Sequence, residues 1–307
     1  MLPFKNVLYH KECKSVFKNI KMKNKTRINR FLLSIFVVMI TFSCSTEKEI
    51  PSITNSQTKS FRYGEIVWYD LITPDIEKSK EFYAAIFDWK LETFKVKGQK
   101  YVVIYKENVP IGGMIEIKSA ESAVWIAAKS VKNVAAFNQN ILENGGEIII
   151  EKTVIPGRGD FSIIQGNQGE KISLINSLKG DPANHTVIRN ETWLWLELWS
   201  DNPTKSIAFY KDAFKLDTEE SVLNNLPYWN FTYNDVAVAG MIKNPLTNRS
   251  TQWVPYIQIE DFETIIYNIE SNNGYFILRP KGTLDSGNIA VFQDPLGATV
   301  CLQNWNN

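Results

Sequence analysis

Apolar and polar positions alternate with a period of two over Glu65–Ile72, which predicts a strand, and the spacing then changes. Phe82, Tyr83, Ile86 and Phe87 recur on one face of a helix for which Asp75 supplies the N-cap. Short strands are predicted at 100–105 and 109–117. A second helix carries Val134, Phe137, Ile141 and Leu142 and stops at Gly145-Gly146. Two more strands follow near 147–152 and 161–175, the latter interrupted at 166–169. Farther on the same order returns. Trp193–Trp199 alternates, Asn202 caps a helix with Pro203 at its first position, and a late helix with Ile265, Ile266 and Ile269 stops at Asn273-Gly274.

The recurrence is literal. Trp68–Tyr83 reads W-Y-D-L-I-T-P-D-I-E-K-S-K-E-F-Y, and Trp195–Tyr210 reads W-L-E-L-W-S-D-N-P-T-K-S-I-A-F-Y. The offset of 127 pairs Asp70 with Glu197, Phe82 with Phe209, Tyr83 with Tyr210 and Gly113 with Gly240. It drifts by one at Gly146 and Gly274 and at Gly169 and Gly297. Two copies of one folding unit follow, at 61–176 and 191–307, with 177–190 as a linker. Helices cover one face of such a sheet, so the other must pair, bind a ligand or be filled with aromatics. Alternation puts Leu194, Leu196 and Leu198 on the helix-facing side and Trp193, Trp195, Glu197 and Trp199 on the open side, with Ile66, Trp68 and Asp70 as their counterparts.

Charge is distributed unevenly. Residues 1–44 hold nine Lys or Arg and one acid, leaving 25 bases against 32 acids beyond Cys44, a net of about −7. That body has no generic attraction for nucleic acid. Basic residues 22–30, the apolar run Phe31–Phe42 and then Ser43-Cys44 have the anatomy of an export signal. A Cys directly after a small residue resembles a bacterial lipoprotein signal, so Cys44 is the expected lipidation site and the protein is expected outside the cytoplasm, tethered to a bacterial membrane. A plain membrane anchor is the alternative. Residues 1–21 fit neither, which makes Met22 a candidate start. Residues 45–60 are polar and are read as a flexible tether.

The passages T-P-D-I-E-K-S-K-E-F-Y and S-D-N-P-T-K-S-I-A-F-Y, the G-G-M and A-G-M turns at 112–114 and 239–241, and D-P-L-G-A-T at 294–299 resemble the vicinal oxygen chelate superfamily of glyoxalases, bleomycin-resistance proteins and extradiol dioxygenases. The resemblance implies an α+β fold of two tandem βαβββ modules whose paired concave sheets form a shared cleft. It also implies a metal held by His, Gln or Glu on each first strand and Glu on each last strand. Those positions fall here on Trp68, Trp195, Ser173 and Cys301. Tryptophan cannot coordinate, serine is a poor ligand, and one cysteine does not supply the three or more protein ligands such sites need. No cofactor is therefore expected; a divalent metal at a displaced site is the alternative.

Asp70 and Glu197 could form an acid–base pair if they shared one cleft; the competing reading has each carboxylate satisfied by Tyr, Trp or backbone donors. Trp68 and Trp195 suit a flat or cationic ligand, and equally the filling of an interface. Cys301 reads as a buried apolar filler, and Gly157-Arg158-Gly159 as a turn, with an anion-binding loop as the alternative. The expected function is binding of a small organic ligand by Trp68, Asp70, Trp193, Trp195 and Glu197 without metal. The alternative is a lyase, isomerase or oxygenase of the family using a displaced metal or the two carboxylates.

Overall fold

The computed structural model describes residues 49–56, 59–96, 99–183, 188–223, 225–246, 249–280 and 287–305. The leader, Cys44 and the linker's His185 lie outside them. Among the described residues, no helix is long and apolar enough to cross a membrane.

Each module carries the βαβββ unit twice. In the first, β1 (Ile66–Thr73), α1 (Ile76–Ile86), β2 (Lys90–Val96), β3 (Gln99–Lys106) and β4 (Val109–Glu116) make one unit. β5 (Val124–Ser130), α2 (Val134–Glu143), β6 (Glu147–Ile155), β7 (Gly159–Gln165) and β8 (Lys171–Ser177) make the other. The second module repeats this as β9 (Trp193–Ser200), α3 (Pro203–Phe214), β10 (Asp217–Leu223), β11 (Leu226–Tyr233) and β12 (Val236–Lys243), then β13 (Gln252–Gln258), α4 (Phe262–Ser271), β14 (Tyr275–Leu278), β15 (Ile289–Gln293) and β16 (Thr299–Gln303). Each module is one eight-stranded mixed sheet, ordered β2-β3-β4-β1-β5-β8-β7-β6 and β10-β11-β12-β9-β13-β16-β15-β14. The fold is α+β, as the resemblance implies. The caps form as the sequence predicts: Asp75 accepts from Lys78 N, and Asn202 accepts from Lys205 N with Pro203 opening the helix.

The two modules share one core on their helix-bearing faces, and the repeated Phe-Tyr pair ties them together. Tyr83 of α1 donates to Asp294 Oδ2 of the second module (3.1 Å) and accepts from Trp125 Nε1 (2.8 Å). Reciprocally, Tyr210 of α3 donates to Glu170 Oε1 of the first module (2.9 Å) and accepts from Trp253 Nε1 (3.0 Å). The neighbouring phenylalanines cross the same way. A Cβ on Gly274 would lie 3.0 Å from Phe82, and one on Gly146 would lie 3.2 Å from Phe209. Each helix stop predicted from a glycine thus also makes room for an aromatic ring of the other module.

Strict alternation fails at one place in each module. A bulge between Ile66 and Trp68, repeated where β9 meets β13 at Trp193 and Trp195, reverses the facing of the residues before it. Trp193 and Ile66 consequently pack with the shared core, and Leu194 joins the concave cluster of the second sheet. The expectation that Trp193 and Ile66 lie on the concave side is corrected accordingly. The Gly-Gly-Met and Ala-Gly-Met segments are not turns; they lie inside β4 and β12.

The tether also differs from expectation. Ile50 and Ile53 are 3% and 0% exposed and pack on the concave face of the first sheet with Val67, Trp68, Phe94, Tyr101, Val103, Ala128 and Ile175. Two isoleucines in a polar stretch set no period, so the sequence pattern gave no sign of this docking.

Candidate functional site

On the first concave face, β1 sets Trp68 and Asp70 on the same side. Asp70 Oδ1 accepts from Trp68 Nε1 (3.0 Å) and from Tyr101 OH of β3 (2.6 Å). Gly113 lies opposite Asp70 across the β1–β4 register, and a Cβ there would fall 2.0 Å from the Tyr101 hydroxyl. Glycine at this strand position is what admits the phenol to the carboxylate. Arg158, in the β6–β7 turn, lies over the rings of Trp68 (4.2 Å) and Tyr101 (5.0 Å). Burial pushes the Asp70 carboxyl above its ordinary range, opposed by Arg158, Tyr101 and Trp68.

The second concave face varies the plan. Glu197 Oε1 accepts from Trp199 Nε1 (2.9 Å) and Tyr256 OH (2.6 Å), while Trp195 Nε1 donates to Tyr228 OH (3.0 Å). Gly240 gives the Tyr228 hydroxyl its room, as Gly113 does for Tyr101. Burial raises the Glu197 pKa against the donors Tyr256, Trp199 and Tyr228. Cys301 is buried, and its thiol is pushed well above the ordinary value, first by burial and then by Glu197.

Asp70 and Glu197 therefore belong to separate sheets and share no hydrogen-bond partner. Each is locked by indole and phenol donors within its own module, and the geometry offers no acid–base pair between them. Tyr101, Tyr228 and Tyr256, missed as site residues, complete these two sites together with Arg158, which reads in the sequence as part of a turn. The 127 offset does relate Tyr101 to Tyr228, which was the available signal.

Trp68, Trp193 and Trp195 all contribute to the lining of one cavity, although the Trp68 indole itself is buried on the first concave face. β1 pairs with β4 only from Asp70 onward, and β9 with β12 only from Glu197 onward. The first halves of β1 and β9, paired with β5 and β13 but open on the edges towards β4 and β12, flank a cavity of about 390 Å³ at the seam between modules. The three tryptophans line it with aliphatic neighbours such as Ile111 and Val238, and Arg62 and Glu65 supply charge. Arg62 Nε donates to Glu65 Oε2 (3.1 Å). Trp193 is fixed by its Nε1 donating to Ile111 O (2.7 Å) and by stacking on Tyr69 with centroids 4.2 Å apart. Asp70 and Glu197 do not line this cavity.

The four positions where the family resemblance puts metal ligands lie in register, Trp68 to Ala128 to Ser173 and Trp195 to Tyr256 to Cys301. Their donors are committed or unsuitable. Both indoles donate to oxygen, Ser173 Oγ donates to Ala127 O (3.0 Å), and the Cys301 thiol is held protonated by burial. No group of three or more His, Cys, Asp or Glu among the described residues could hold a metal ion. The residues present do not fit the family's metal.

Comparison with known proteins agrees on the fold. A sequence model of the Glyoxalase/Bleomycin resistance protein/Dioxygenase superfamily matches residues 65–174. The Mycobacterium bovis protein named "Putative glyoxylase CFP32" is 24% identical over 245 residues, spanning 78% of this chain and 94% of that protein. The anthracycline biosynthesis protein DnrV of Streptomyces peucetius is 21% identical over 258 residues, spanning 78% and 92%. Among solved structures, the Mn(II)-bound glyoxalase from Novosphingobium aromaticivorans superposes with a TM-score of 0.55 at 14% identity, covering 79% of this chain and 82% of that one. The 2,3-dioxygenase LapB from Pseudomonas sp. KL28 gives 0.52 at 11% identity, covering 82% and 94%. Residues 65–174, the first module, match the model of the glyoxalase/bleomycin resistance protein/dioxygenase superfamily, and the second module repeats the strand order of the first.

Proposed function

We propose that this protein is an exported, lipid-anchored member of the superfamily that binds a small organic molecule at the seam between its modules, without the family's metal. The observation that carries the reading is the seam cavity of about 390 Å³, whose lining includes the partly exposed Trp193 and Trp195. That size lies within the range of small-molecule sites, which combine apolar walls with a few polar groups. Trp193 and Trp195, the partly exposed indoles of that lining, suit a ligand with a flat apolar or cationic part, and Glu65 is the acid placed to meet a cation. The carboxylates expected to do this, Asp70 and Glu197, are each engaged inside their own module.

The test is a small-molecule screen read by tryptophan fluorescence, followed by titration of variants. Trp195→Ala weakens binding by about 1–3 kcal/mol, the scale of one lost aromatic contact. A chelator leaves binding unchanged. Binding abolished by chelator, or indifferent to both Trp193→Ala and Trp195→Ala, would show that the seam is not the working site. For the anchor, Cys44→Ala shifts the protein from the membrane to the soluble fraction; retention as firm as that of the parent would indicate a spanning anchor instead.

A further inference from the structure

Residues 49–54 read E-I-P-S-I-T, and the two isoleucines press into the concave face of the first sheet. The approach is close. Gly157 has φ +78°, and a Cβ there would fall 2.0 Å from the Ile50 carbonyl oxygen, so glycine at this turn is what lets the segment seat. The repeat supplies no second copy of this segment, because an offset of 127 from Ile50 and Ile53 lands on Ser177, which ends β8, and on Gly180 in the linker.

The segment fits well where it is apolar and badly where it is polar. Arg158 is 4% exposed, stacked on Trp68 and Tyr101, and its Nε and Nη2 have no hydrogen-bond partner. The Ser52 hydroxyl, also buried, has none either. Asp70 attracts Arg158 through space. No ion pair among the described residues involves Arg158. A buried guanidinium with two unpaired N–H groups is costly, and these two nitrogens form the side-on edge of the fork that accepts the two oxygens of a carboxylate or sulfonate.

We propose that residues 49–54 are a displaceable internal occupant of the first concave face. They hold the place of an amphiphilic anion whose apolar body takes the isoleucine positions and whose acid group bonds Nε and Nη2 of Arg158. Segment and anion exclude each other, since Ile50 and Ile53 belong to the same apolar cluster as the Trp68 and Tyr101 that Arg158 covers. This site is distinct from the seam cavity, whose lining does not include Arg158.

The probe is 8-anilinonaphthalene-1-sulfonate, an aromatic sulfonate, with the full chain. In an Ile50→Ser/Ile53→Ser variant the segment no longer competes, and the dissociation constant falls at least tenfold below the parent's. Adding Arg158→Gln to that variant restores weak binding, again by tenfold or more. A synthetic peptide of residues 49–56 displaces the dye, and the same peptide with both isoleucines changed to serine does not. In the unmodified chain, saturating dye speeds hydrogen exchange at residues 49–56, and Arg158→Gln removes that effect; this measurement decides the matter should the double variant not fold. Equal dye affinity in parent and double variant overturns the proposal. So does binding that ignores Arg158→Gln, or binding that responds to Trp195→Ala in its place, which would put the dye at the seam.

Discussion

Replacing Tyr83 by Phe tests whether the two modules are one folding body. The ring stays, so no cavity opens, and only the hydroxyl between Trp125 and Asp294 is lost. Asp294 is buried and keeps the backbone donors Leu296 N and Ala298 N, both on Oδ1 (2.9 Å), so Oδ2 is left without its phenol. The Trp125 N–H loses its acceptor at the same time. Each orphaned buried group costs about 1–3 kcal/mol, so the variant loses roughly 2–6 kcal/mol. At about 2–4 °C per kcal/mol for a body of this size, the melting temperature falls by roughly 4–24 °C. Tyr210→Phe does the same through Trp253 and Glu170. The two relays share no partner, so losses in the double variant add to within about 0.5 kcal/mol. Calorimetry is the assay, because it also counts transitions. The parent melts in one step. Two separate steps in the parent, or a Tyr83→Phe melting point within about 1 °C of it, would refute the claim that these crossed phenols hold the modules together.

The same core makes other expectations. Lys129 is buried, donates to the Gly64 carbonyl, and has its pKa lowered by burial to about 7. Its folded pKa lies below its unfolded value, so stability rises with pH between about 7 and 10, by up to about 1.4 kcal/mol per pH unit. Lys129→Met removes that slope, read as melting temperature at pH 7 against pH 9, and an unchanged slope would mean that Lys129 is charged when folded. Gly113→Ala drives a methyl into the Tyr101 hydroxyl, displaces it from Asp70 and costs about 1–3 kcal/mol in chemical denaturation. Gly240→Ala does likewise through Tyr228, and neutrality of both substitutions would deny the glycines their role of admitting a phenol.

The repeat, both helix caps and the glycine stops were legible because each depends on residues close together in sequence. The partners of the repeated Phe-Tyr pair were not, since Tyr83 meets Asp294 across 211 residues and no local period encodes that crossing. Trp193 was misplaced for a related reason. W-L-W-L-E-L-W alternates without a flaw, and only the pairing of β9 with β13 shows the bulge that turns Trp193 into the shared core. The internal repeat nonetheless does work that a single domain could not. Positions kept in both copies, Phe82 and Phe209, Tyr83 and Tyr210, Gly146 and Gly274, build the interface between the modules. Some positions that differ lie on the concave faces. Arg158 has no counterpart, because the offset lands on Asp285-Ser286, and Ser173 answers to Cys301. Ile72, Trp199's counterpart, cannot donate to a carboxylate, so Asp70 and Glu197 are held by different partners. Two copies under one structural demand keep what assembly requires. The two concave faces are nonetheless closed differently, the first by the chain's own isoleucines and the second around Glu197, Tyr256 and Cys301, which argues that these faces do different things.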